Sequence, residues 1–212
     1  ANGKGGSMHL IDLNANVVAA VPIVGSTIPI GVGRAWANKL NNKDNIVVIF
    51  FGDGATEEGV FQESLDFASL HKLRILFVCE NNNFSVYSSK LNRQNPKRNV
   101  IKMARSLGVK SVKLKNHDLI KVYSCFKNLV SKVRKFPQPY LIEIETFRTL
   151  EHCGPNNDDY LNYRYKKDIK KWLQNCQVKT YEDKIIKNKI TSLKNLKFIK
   201  NSIQKEISKA FK

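Results

Sequence analysis

No stretch of this sequence approaches the roughly 20 consecutive apolar residues that a helix needs to cross a bilayer, and no basic-then-apolar leader opens it. No membrane association is expected, and a cytoplasmic location is. Cysteine is scarce as well. The four present, Cys79, Cys125, Cys153 and Cys176, form no C-x-x-C pair and no zinc-ligand spacing, so they read as reduced, unpaired thiols. Acidic side chains are few, 18 against 36 Lys and Arg, for a net charge of +18. Such an excess suits nucleic acid, because clustered basic groups neutralise phosphates and release counterions. The aromatic platforms or groove-directed helix of a nucleic-acid reader are missing, however. The lysines thicken instead toward the carboxyl end, in Lys166-Lys167, Lys170-Lys171 and from Lys184 onward, interleaved with Ile and Leu at helical spacing. That pattern is the solvated face of amphipathic helices. No nucleic-acid partner is expected.

What is present is ordinary for a globular chain: 42% hydrophobic and 9% aromatic residues over 212 positions. The length predicts a single domain with its own core, carrying a helical, basic carboxyl-terminal segment from about residue 165. Ala1 opens the chain inside a Gly-rich stretch, Gly3-Lys4-Gly5-Gly6-Ser7, which reads as a fragment or a processed chain.

Pro29, Ile30, Gly33, Ala37 and Leu40 predict a helix from about Pro29 to Leu40. The apolar run Asn45 to Phe51 predicts a strand buried on both faces. Phe61, Leu65 and Ala68 share a helical face, predicting a helix from about Glu57 to His71. A second buried strand is expected from Arg74 to Cys79 and a third from Tyr140 to Phe147. Between them Asp118 caps a helix that Pro137 and Pro139 terminate. Beyond a Tyr-rich loop near Tyr160 to Tyr165, helices run to the end, with Ile199, Ile203, Ile207 and Phe211 as an apolar stripe. Helix and strand in alternation predict an α/β fold: a parallel sheet flanked by helices.

Ligands of such sheets collect at the carboxyl ends of the strands. Two motifs fall there: GDGATEEG from Gly52 to Gly59, and ENNNF from Glu80 to Phe84. Asp53 places a hard carboxylate at a strand end between glycines that let a ligand approach the backbone. The helix expected just beyond aims its free N–H groups into the same space, which suits a phosphate. Mg²⁺ accepts a carboxylate, an amide oxygen and a main-chain carbonyl; Asp53, Asn82 and Phe84 supply one of each. Either motif alone is an ordinary turn. Both at successive strand ends point to a site.

The GDG and ENN pair resembles the thiamine diphosphate motif. The surrounding text is similar to the alpha subunit of the 2-oxo acid dehydrogenase complexes, of the pyruvate and branched-chain type. Lys4 to His9, Pro22-Ile23-Val24-Gly25 with Pro29 beyond, Gly52 to Gly59, Glu80 to Phe84, and Thr146-Phe147-Arg148 leading to His152 all match, in the family's order. The resemblance implies that Asp53, Asn82 and the Phe84 carbonyl hold Mg²⁺. It implies that Gly54 and Ala55 offer N–H groups to the diphosphate, while Pro22, Ile23 and Val24 line the cofactor. It also places His152 toward the substrate, where a histidine holds or moves a proton. Arg148 reads as a contact to substrate or phosphate, or as a structural ion pair. His9, His71 and His117 read as structural.

Departures from the family's pattern are equally legible. The family often has Tyr where Phe84 stands, a change that a main-chain ligand tolerates. Its dehydrogenases commonly show His-Gly-His where this chain has Leu150-Glu151-His152-Cys153-Gly154-Pro155. The family's upstream Tyr-Arg pair and further histidine would precede Ala1. The glutamate that activates the aminopyrimidine belongs, in the family, to a beta subunit. The implied activity is oxidative decarboxylation of a small 2-oxo acid, with acyl transfer to a lipoyl-bearing acyltransferase, in an assembly with the beta subunit (alpha2beta2). A carboligase or non-oxidative decarboxylase using the same cofactor is the alternative, and an inert partner-binding fragment is the reading of another class.

Overall fold

Ile28, Gly31, Val32, Ala35 and Asn38 recur at intervals of three and four and form the buried face of α1 (Thr27–Leu40). The helix starts two residues before Pro29, so the proline sits in the first turn, where its missing N–H has no helical partner to lose. The structure, a computed structural model, describes residues 8–114 and 118–211; Lys4 to Ser7 and His117 lie outside the described residues. His71, read as structural, closes α2 (Gly59–Leu70), its ring packed between Trp36 and Phe67.

Four parallel strands obey the expected alternation: β1 (Val47–Gly52), β2 (Ile75–Asn81), β5 (Lys110–Leu114) and β6 (Tyr140–Glu145), ordered β1-β2-β6-β5. A two-residue hairpin, β3 (Phe84–Ser85) with β4 (Ser88–Ser89), leaves the end of β2. The short helices α3 (Lys90–Arg93) and α4 (Val100–Ser106) precede β5, and α5 (Leu119–Lys135) precedes β6. Asp118 caps α5 as expected, accepting from the N–H groups of Ile120 and Lys121 at 3.0 and 3.3 Å. The hairpin, α3, α4 and β5 carry no apolar run. β5 is the edge sequence Lys-Ser-Val-Lys-Leu, and α4 shows too few turns for a period.

The sheet is sandwiched between two apolar layers. Ile75, Phe77 and Cys79 of β2 face a cluster with α1, α2 and α4, while Leu76 and Val78 face a second with Leu129 and Val133 of α5. β2 is thus buried on both faces, as its unbroken apolar run requires. For β1 that expectation fails. Ile49 and Phe51 are buried, but Val48 is 41% and Phe50 59% exposed. Among the described residues β1 is an edge strand, and its outer positions stay exposed, so an apolar run there marks surface left open. A Cβ at Gly31 would lie 2.5 Å from the Ile49 side chain, so glycine sets the closeness of α1 to β1.

Register brings the working ends level. Gly52 lies opposite Glu80, and Glu80 opposite Ile144. The residues after β1 and β2 therefore leave the sheet at one edge.

A second compact unit comprises 166–212. It consists of α6 (Lys166–Gln174), α7 (Gln177–Lys187) and α8 (Leu193–Ala210). Ser192 caps α8, and Lys200 pairs with Glu182 at 2.8 Å. No helix among the described residues is long and apolar enough to cross a membrane.

Candidate metal and cofactor site

The chain does not pass from β1 straight into a helix starting at Glu57, as the sequence suggests. A 3-10 turn, Asp53–Glu57, intervenes and α2 begins at Gly59. The backbone tightens there before the helical face of Phe61, Leu65 and Ala68 takes over. After that of Asp53, the first N–H groups beyond β1 therefore belong to Gly54 and Ala55 of the tighter turn. Thr56 locks it, its buried hydroxyl donating to the Asp53 carbonyl at 2.7 Å while accepting from Arg98 at 2.9 Å.

Asp53 is held inside this turn with its side chain 2% exposed. Oδ2 accepts from Arg93 Nη2 at 2.7 Å. Oδ1 is buried and takes no hydrogen bond. An orphaned buried carboxylate oxygen is costly, and a bound cation is one group that would satisfy it. A Cβ on Gly54 would stand 2.8 Å from Ser85 Oγ. Glycine lets the Asp53 turn close on the hairpin that begins at Phe84 without displacing the Ser85 side chain.

The ENN turn is built by its own side chains. Asn81 donates through Nδ2 to Glu143 Oε1 at 2.6 Å and accepts the Asn83 N–H at 3.0 Å. Glu143 is a buried carboxylate on β6, also reached by Lys113 at 3.4 Å. Asn82 Oδ1 accepts the Phe84 N–H at 2.8 Å, which holds Phe84 in place and leaves Oδ1 a second lone pair. Asn83 takes the left-handed conformation, φ 65°, as asparagine tolerates. Val86 does so at φ 52°, where a β-branched residue is strained; Arg148 donates to its carbonyl.

These residues suit a hard divalent cation: one anionic oxygen, one amide oxygen and one carbonyl at adjoining turns. No group of three or more His, Cys, Asp or Glu side chains that could hold a metal occurs among the described residues, so a site here depends on this mixed set. Beneath it, burial first, then Glu143 and Asp53, push the Cys79 thiol far above its usual range.

The segment from Pro22 to Val24 and the histidine loop sit around this edge. Pro22, Ile23 and Val24 form an irregular segment, with Ile23 68% exposed. Gly25 (φ 84°) ends it against Glu58, whose Cγ would lie 3.0 Å from an added Cβ, so the segment arrives beside the start of α2. His152 is exposed on a turn that Glu151 closes by accepting from Asn156 N and Nδ2, at 3.2 and 2.7 Å. The bonds that hold the Asp53 turn come from Arg93, Thr56 and Arg98, and His152 takes no part in them.

Arg164, Asp158 and the place of Tyr163 at this edge were not legible in the sequence. Arg164 is buried in an ion pair with Asp158 and donates to the carbonyls of Arg148 and Leu150. Tyr163 donates to Asp158 at 2.6 Å and packs edge-on against Phe84 and Tyr87 at 5.5 and 5.3 Å. Arg148 donates to the Tyr163 hydroxyl at 3.1 Å. The loop that bears His152 is thereby packed on the residue whose carbonyl is the metal candidate. Nothing in a polar run such as Asn156 to Tyr165 announces this, because the pairing is made in space.

Burial, then the hydrogen bond to Asp158, push the Tyr163 phenol up to about 12. The unfolded chain gives up that proton near pH 10, so the folded state holds it longer, and stability falls as pH rises from about 10 to about 12. Melting temperatures over that window are expected to drop less for Tyr163→Phe than for the wild type. Parallel curves would disprove the assignment.

Comparison with known proteins fits the geometry. Residues 1–212 match the family described as Dehydrogenase E1 component. The chain is 33% identical over 210 residues to the pyruvate dehydrogenase E1 component subunit alpha of Rickettsia typhi, covering 99% of this chain and 63% of that one. Identity to the Rickettsia felis protein of the same name is 32%, covering 100% and 64%. The chain thus spans less than two thirds of these curated relatives. The fold matches benzoylformate decarboxylase from Polynucleobacter necessarius with a TM-score of 0.51 at 17% identity, over 64% of this chain and 26% of that one. The whole-length match, with the two motifs at level strand ends, places this chain in the dehydrogenase E1 component family.

Proposed function

We propose that this chain is the alpha subunit of a thiamine diphosphate-dependent 2-oxo acid dehydrogenase and that it holds the cofactor's diphosphate through Mg²⁺. The observation that carries the reading is the buried, unpartnered Oδ1 of Asp53 beside the Asn82–Phe84 turn. Asp53, Asn82 and the Phe84 carbonyl would hold the metal. The Gly54 and Ala55 N–H groups, at the head of the 3-10 turn, meet the diphosphate oxygens, and Pro22, Ile23 and Val24 cover the cofactor. When bound, the cofactor supplies the electron sink for decarboxylation. His152 stands on the loop over this edge, where it orients the 2-oxo acid and holds or moves a proton at its oxygen.

A beta subunit supplies the glutamate that activates the cofactor, in an alpha2beta2 assembly, and a lipoyl-bearing acyltransferase receives the acyl group. Bare apolar surface supports such assembly: Val48 and Phe50 on β1, and Leu10, Ile11 and Leu13 along the first described segment, are exposed. A second reading, a non-oxidative decarboxylase or carboligase, is favoured by the Glu151–Asn156 turn, which replaces the family's His-Gly-His loop.

Calorimetry of the full-length chain with its partner subunit tests the proposal. Thiamine diphosphate is expected to bind with Mg²⁺ and to be lost in EDTA, and equal affinity in both would refute it. Acyl transfer that requires a lipoyl acceptor identifies the dehydrogenase, and product formed without one identifies the second reading.

A further inference from the structure

Arg93 lies outside every motif of the site, yet it joins the two turns that carry the metal candidates. Its side chain is only 13% exposed. Nη2 donates to Asp53 Oδ2 at 2.7 Å, Nη1 to Glu57 Oε1, and Nε to the Ser88 carbonyl at 3.2 Å. One guanidinium therefore spans the Asp53–Glu57 turn and the β3–β4 hairpin. Gln94 steadies the far side, donating Nε2 to the same Glu57 oxygen at 2.5 Å.

The consequence for Asp53 is a division of labour between its two oxygens. Oδ2 is taken by the planar fork, and the carboxylate cannot rotate without breaking that bond. Oδ1 is left buried and unpartnered. A free carboxylate would swing between several geometries, whereas this one presents a single oxygen in a single direction. Groups that hydrogen-bond a ligating carboxylate orient it and tune its affinity. A cationic neighbour would also repel a divalent ion, but Glu57 pairs with Arg93 and offsets its charge where the ion would sit.

We propose that Arg93 is the positioning residue of the metal site: it fixes Asp53 through Oδ2 so that Oδ1 faces the cation, with Glu57 as its counter-charge. This rests on the metal reading given above. The competing reading, in which Arg93 stands in for the cation and is displaced by it, predicts the opposite sign on its removal.

Mn²⁺ provides a probe that does not depend on turnover. Free Mn²⁺ is titrated by electron paramagnetic resonance in the full-length chain with its partner subunit, at saturating thiamine diphosphate. Arg93→Ala is expected to raise the Mn²⁺ Kd by about 10- to 100-fold, the usual effect of losing a partner behind a metal ligand. Arg93→Lys is expected to fall between, since a single ammonium cannot bridge Asp53 and Glu57 as a fork does. Glu57→Gln should weaken Mn²⁺ as well, by exposing the ion to an unbalanced guanidinium. Melting in EDTA separates these effects from loss of fold: a purely structural Arg93 would lower it without changing the Kd of the surviving protein. Asp53→Asn serves as the control. If it abolishes the Mn²⁺ site while Arg93→Ala and Arg93→Lys bind Mn²⁺ as tightly as wild type or tighter, the positioning role is wrong and the metal reading stands. If Asp53→Asn itself leaves Mn²⁺ binding unchanged, the metal reading falls instead.

Discussion

Asp53→Asn is expected to weaken Mg²⁺-dependent binding of thiamine diphosphate by more than about 100-fold, beyond the range for partners behind a ligand. The substitution keeps the size of the side chain and one carbonyl-type oxygen. It removes the negative charge and with it the only carboxylate oxygen in the proposed set. Arg93 retains its bond to Glu57, and the 3-10 turn retains the Thr56 bond to the Asp53 carbonyl. The fold should therefore survive. Calorimetry against Mg²⁺ at fixed cofactor reads the effect, and melting in EDTA checks that the protein is intact. Affinity within a few-fold of wild type would remove Asp53 from the site.

The second large effect is on stability. Asp158 and Arg164 each expose only 2% of their side chains. Deleting one partner of a buried pair strands the other charge, at a cost of about 3–5 kcal/mol. Asp158→Ala leaves the guanidinium with Asp159 as its remaining counter-charge, at 3.0 Å and one third exposed, and the Tyr163 hydroxyl loses its acceptor. At roughly 2–4 °C per kcal/mol for a chain of this length, the melting temperature is expected to fall by about 10 °C. Amides across 146–165 should exchange faster, because this loop opens first. The double variant Asp158→Ala/Arg164→Ala should cost less than the sum of the two singles, the signature of residues in direct contact. Unchanged melting and exchange in Asp158→Ala would show that the pair contributes nothing.

Periodicity suffices wherever an element buries its own pattern. Phe61, Leu65 and Ala68 announce α2, the unbroken run Ile75 to Cys79 announces β2, and Asp118 with Pro137 brackets α5. β5 and α4 escape notice because an edge strand alternates with lysine and a two-turn helix shows no period. β1 misleads for a related reason. Its composition says that both faces are apolar, but burial of Val48 and Phe50 depends on what lies above them, and the described residues leave both exposed.

The site divides the same way. Asp53, Asn82 and Phe84 are legible in sequence because motif and strand end coincide, and hydrogen bonds within a few residues, such as Asn82 to the Phe84 N–H, complete that local geometry. The unpartnered Oδ1 of Asp53, the bridge from Arg93 to Glu57, and the packing of Tyr163 on Phe84 belong to the tertiary structure alone. They join residues far apart in the chain whose individual identities are those of ordinary surface loops. Sequence determines which groups are available at a strand end; only the packing of distant turns decides which oxygen is satisfied, which is left bare, and therefore where the proposed cation would fit.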